Sequence, residues 1–101
     1  MHNEYILLMH EDAPDRVASN DPEQWARYLG GLRATGQFDG GSEIGAGERL
    51  RKGQPGEPAA RAIGGFIRVR AATLEEARQF LAGNPVYEAG GTVELRELPK
   101  S

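Results

Sequence analysis

Polar and apolar positions change period twice in the last third of the chain. Phe66-Ile67-Arg68-Val69-Arg70 alternates with period two, which predicts a strand from about Gly64 to Ala71. Thr73 and Glu76 then stand at the spacing of a capping box, and Leu74, Ala77, Phe80 and Leu81 recur with helical period. They predict a helix opening at Thr73 and stopping at Gly83, with Pro85 just beyond reinforcing the stop. Alternation resumes at Thr92-Val93-Glu94-Leu95-Arg96, predicting a strand over about 92–98.

The start of the chain mirrors this. Glu4 to His10 is apolar at nearly every position, the pattern of a central strand covered on both faces. Residues 11–20 are polar and contain Pro14, which suits a loop. Asp21-Pro22 marks a helix start, and Trp25, Tyr28, Leu29 and Leu32 form one apolar stripe ending near Gly36. Gly30-Gly31 inside that helix reads as a close approach to the sheet, with a helix break as the alternative. Residues 38–50 hold a glycine-weakened second strand, and Arg51 to Arg61 reads as a mobile loop.

The order is β-α-β-β-α-β, so the expected fold is α+β and ferredoxin-like. Its four-stranded antiparallel sheet carries both helices on one face, in a single domain over 1–101. Strand alternation assigns Ile67, Val69, Val93 and Leu95 to the helix-covered face. Phe66, Arg68, Arg70, Glu94 and Arg96 fall on the open face, which must meet solvent, a partner sheet or a ligand.

Composition narrows the partners. The net charge is −3 with acids and bases interspersed, so there is no basic stripe for nucleic acid or an anionic membrane surface. No cysteine is present, which excludes disulfides, thiolate nucleophiles and Cys-based metal sites. The longest apolar run, Tyr5 to Met9, is far too short to span a bilayer, and a cytoplasmic location is expected.

The chain resembles the YCII-related family, including its branch named after a DGPF motif. The resemblance is carried by Tyr5-Ile6-Leu7-Leu8-Met9-His10, Trp25-Ala26-Arg27-Tyr28-Leu29, Ile63-Gly64-Gly65-Phe66, Leu74-Glu75-Glu76-Ala77 and the segment from Gly83 to Arg96. It implies a ferredoxin-like subunit that pairs face to face into a dimeric α/β barrel enclosing a cavity. A few relatives are linked to turnover of chlorinated hydroquinones, and a His–Asp pair is the proposed active site of the YCII branch. Here Trp25 stands at the histidine position and Asn84 at the acid position, so neither half of that pair titrates. Gln54-Pro55-Gly56-Glu57 keeps only the proline of the DGPF stretch.

His10 is the remaining candidate for proton transfer, at the end of the first strand, with Glu11 or Asp12 as possible orienting carboxylates. The plainer account makes it a strand-end residue, exposed or bonded to backbone. Arg68, Arg70 and Arg96 either clamp a carboxylate or enolate, or pair with Glu94 or an acid of a partner subunit. Trp25 and Tyr28 serve as an aromatic wall or as core, and Tyr87 and Glu88 cap a cavity or touch a partner. His2, near the chain start, makes no credible metal pair with His10, and Gly45-Ala46-Gly47 lacks the context of a phosphate loop. No metal or cofactor is implied.

Two functions remain. The first is a homodimer binding a small, partly aromatic or enolisable acid through His10, Ser42, Phe66 and Arg68, with His10 assisting proton transfer or elimination. The second is a non-catalytic interaction or regulatory module whose open face serves dimerisation or a protein partner.

Overall fold

The computed structural model describes residues 2–59 and 62–100. Strand β1 (Asn3–His10) leads through a short helix α1 (Arg16–Ser19) to the long helix α2 (Pro22–Thr35) and strand β2 (Phe38–Glu43). A small hairpin, β3 (Glu48–Arg49) and β4 (Glu57–Pro58), precedes strand β5 (Ile63–Ala71). Helix α3 (Leu74–Arg78) runs into a 3₁₀ turn at Gln79–Leu81, and α4 (Pro85–Glu88) leads to strand β6 (Val93–Leu98). The main sheet has the order β2-β5-β1-β6 and is antiparallel throughout, the ferredoxin-like arrangement.

Tyr5, Leu7 and Met9 from β1 and Ile67, Val69 and Ala71 from β5 are buried on one face of the sheet. Tyr28 and Leu32 of α2, Ala77 of α3 and Val86 of α4 complete this core, with Trp25, Leu29, Val93 and Leu95 packed around it. The opposite face presents Ile6, Leu8, Phe66 and Leu98, all half-buried, among charged residues. Register sets this division: Ile6 faces both Arg68 and Arg96, and Leu8 faces both Phe66 and Glu94.

Three segments depart from the expectation. Residues 11–20 are not all loop, because the Asp15 carboxylate accepts from the Ala18 N–H and nucleates α1. The second strand ends at Glu43, residues 44–47 form no regular element, and Glu48 to Pro58 forms the β3–β4 hairpin. Ala60 and Arg61, the end of that expected loop, lie outside the described residues. The second helix closes early in the 3₁₀ turn, and Leu74, expected on its buried face, is exposed. Pro85 then opens a new helix, for which Asn84 accepts from the Val86 and Tyr87 N–H groups.

Gly30 and Gly31 also read differently in three dimensions. A Cβ at either position meets nothing within 4 Å, so the pair makes no close approach to the sheet. The close approach is at Gly41, where a Cβ would run into the Phe66 carbonyl oxygen. Beside it Gly40, at φ 96°, forms a bulge between Phe38 and Gly41. This extra residue lets Phe38 pack toward the core opposite Val69 while Ser42 turns to the open face opposite Phe66.

Candidate functional site

His10 ends β1, and its backbone N–H donates to the Thr92 carbonyl at 2.9 Å. The β1–β5 register slips between Met9 and His10, which sets the side chain at the margin of the open face. There its Nε2 lies 3.0 Å from Glu94 Oε2 on the neighbouring strand. The orienting carboxylate is therefore Glu94, not Glu11 or Asp12. Asp12 is engaged elsewhere, accepting from Thr92 Oγ1 at 2.6 Å and from the Thr92 N–H at 2.8 Å. Those two bonds hold the Asp12 carboxyl below its usual value.

The His10 hydrogen bond, assisted by the charge of Arg96, holds the Glu94 carboxyl below its usual value as well. Glu94 is thus ionised near neutral pH and can only accept, so Nε2 of His10 carries the shared proton. Nδ1 is then the nitrogen left over, and no described residue hydrogen-bonds it.

His10 lines a cleft of about 790 Å³ that also holds Ser42 and Phe66. Trp25 and Leu29 of α2, Phe38 of β2 and Met9 and Val86 supply its apolar wall, and Arg16 and Arg33 reach it from the two helices. The Trp25 indole stands edge-on to Tyr28 at 5.9 Å and donates to the Ser19 carbonyl, tying α1 to α2 beside the cleft. Ser42 Oγ donates to the Glu43 carbonyl at 2.8 Å.

Arg68 lies outside this cleft, with its guanidinium 3.2 Å from Glu4 Oε1. Arg70 is likewise held by the Asp39 carboxylate, at 2.9 and 3.1 Å, and by the Gly36 carbonyl. Arg96 sits 3.9 Å from Glu94. The open-face arginines are thus cross-strand or same-strand partners of acids, and exposed pairs of this kind contribute only about 0–1 kcal/mol each. Glu88 accepts from the Gly83 N–H, and Tyr87 is half-exposed. Among the described residues, no three His, Asp or Glu side chains gather as a metal site.

Sequence reasoning missed Glu94 as the His10 partner, and Arg16 and Arg33 as cleft residues. Glu94 was already assigned to the open face, and only the β1–β6 register brings it to His10. Trp25, Leu29 and Arg33 recur every four residues along α2, a signal that was available.

Helices on one face of this sheet define a ferredoxin-like protein with a side cleft at the strand ends. A sequence profile described as YCII-related domain matches residues 4–99, and the chain belongs to that family. Comparison with curated proteins found no match. Among solved structures, the chain is similar to 5-chloro-2-hydroxyhydroquinone dehydrochlorinase (TftG) from Burkholderia phenoliruptrix AC1100, determined in complex with 2,5-dihydroxybenzoquinone. The TM-score is 0.56 at 19% identity, covering 96% of this chain and 95% of that one, a likeness of fold. Trp25 bonds backbone, and the fully buried Asn84 caps α4. No helix among the described residues is long and apolar enough to cross a membrane.

Proposed function

We propose that the protein is a homodimer that takes a small hydroxylated quinone, hydroquinone or enolisable acid into the cleft beside His10, where the imidazole moves a proton. One observation carries this reading: a carboxylate-oriented histidine at the margin of a cleft of ligand size with both polar and apolar walls. The volume of about 790 Å³ lies within the range of small-molecule sites, and polar and apolar side chains line it in similar measure. Family membership and the dehydrochlorinase likeness agree with a small-molecule-binding or catalytic role.

The chemistry follows from the pair. With Glu94 holding Nε2–H, Nδ1 takes a proton from a ring hydroxyl or from a carbon acid next to a carbonyl. Glu94 stabilises the imidazolium that forms, and the same nitrogen returns the proton later in the reaction. Phe66 offers a flat surface to the ring, and Ser42 a hydroxyl to its oxygens. A second copy docked on the open face would cover Ile6, Leu8, Phe66 and Leu98 and narrow the mouth of the cleft.

Titration calorimetry with 2,5-dihydroxybenzoquinone, the ligand of the dehydrochlorinase structure, tests this directly. Wild type is expected to bind, and His10→Gln to lose at least about tenfold in affinity, the scale of one charge-assisted hydrogen bond. No binding by wild type to this compound or to hydroquinones, or equal binding by the variant, would remove the proposal.

One observation favours the interaction-module reading: Arg68 and Arg70 are already paired within the chain around Ile6, Leu8 and Phe66. A face satisfied in this way suits docking without a ligand. That reading predicts a stable dimer in which His10→Gln changes nothing.

A further inference from the structure

The cleft contains a cation that the proton-transfer step leaves unused. Arg33 lies one helical face along from Trp25 and Leu29, eight residues or about 12 Å beyond Trp25. Its guanidinium sits over the Phe38 ring, 5.7 Å from the centroid and within reach of a cation–π contact. Among the described residues it makes no ion pair and no hydrogen bond. The other four charged or titratable groups of the cleft are accounted for differently. Arg16 donates to the Glu11 carbonyl, His10 is held by Glu94, and the Glu11 and Glu43 carboxylates pair with neither arginine. Arg68, the cation first expected to bind an anion, is occupied by Glu4.

We infer that Arg33 is a specificity-determining residue for a carboxylate carried on a planar ring. The ring would lie along Trp25, Leu29 and Phe38, and the guanidinium fork would take the carboxylate bidentately. The inference rests on the reading of this cleft as the ligand site, and it narrows the ligand to an aryl or conjugated carboxylic acid. The competing account gives Arg33 only a helix-end role, since it lies in the last turn of α2 where a cation complements the helix dipole.

Gentisate and its neutral amide, gentisamide, separate the two accounts without altering the protein. Wild type is expected to bind the acid at least about tenfold more tightly than the amide. Arg33→Met, which keeps much of the apolar stem, should bind both alike, Arg33→Lys should retain part of the preference, and Arg68→Met should retain all of it. Equal binding of acid and amide by wild type, no binding of either, or a preference that survives Arg33→Met would overturn the inference. His10→Gln measured with the same pair keeps the two proposals apart. An acid preference that depends on Arg33 but is indifferent to His10 would sink only the proton-transfer reading. Quinone binding that depends on His10, with no acid preference, would sink only this one.

Discussion

His10 and Glu94 stand 84 positions apart in sequence and 3.0 Å apart in space, and that contact organises the site. It also makes a statement about pH. The Glu94 and Asp12 carboxyls are both held below their usual values, by His10 and Thr92 respectively. The unfolded chain therefore takes up protons at these groups before the folded chain does. The stability they contribute is complete above ordinary carboxylate values and is lost as pH falls through the lowered ones. Denaturant unfolding from neutral pH downward should show stability declining below about pH 5, with a shallower decline in Glu94→Gln and Asp12→Asn. An acid limb unchanged in both variants would contradict these assignments. The sequence named His10 but offered its immediate neighbours as partners. Glu94 was out of reach because a cross-strand contact depends on register, which is set by the whole sheet and not by local spacing.

At the scale of elements, the strongly patterned segments were legible and the glycine-rich ones were not. The alternation in β5 and β6 assigned their faces, and the Asp21 and Thr73 caps stand where sequence predicted. The β2 segment was ambiguous because its conformation follows from a bulge at Gly40 and backbone contact at Gly41, neither of which has a periodic signature. The 3₁₀ turn and α4 were hidden behind Gly83 and Pro85, since a proline that ends one helix can equally begin another. The glycines separate into two kinds. Gly31→Ala, in an exposed stretch of helix with room for a Cβ, should stabilise the protein by about 0.5–1 kcal/mol. Gly41→Ala forces a Cβ against the Phe66 carbonyl and should cost about 1–3 kcal/mol by parting β2 from β5. Urea unfolding of the two variants checks both: a Gly41→Ala no less stable than wild type would show that the strand contact is misjudged, and a destabilised Gly31→Ala that the helix position is.

At the scale of the whole molecule, one side of the sheet is covered by helices and the other is open. The helix-covered face has its core, whereas Ile6, Leu8, Phe66 and Leu98 remain half-buried on the open face, a patch suited to a second copy. The fully apolar run of β1 pointed to a strand covered on both faces, and a dimer would supply the missing cover. Light scattering at micromolar concentration should give a dimer for wild type and a monomer for Leu8→Glu, which puts a charge at the centre of that patch. A monomeric wild type would remove the dimer from the proposed function. The cleft opens beside this face, so the central claim is a claim about place: ligand binds at His10, between α2 and the bulged edge of β2. The most direct measurement is an amide chemical-shift map recorded while 2,5-dihydroxybenzoquinone is titrated into the labelled protein. The predicted result is saturable shifts concentrated at Met9, His10, Ser42 and Phe66, lost in His10→Gln. Shifts scattered over the surface, or centred on Arg68 and the outer part of β6, would contradict the account.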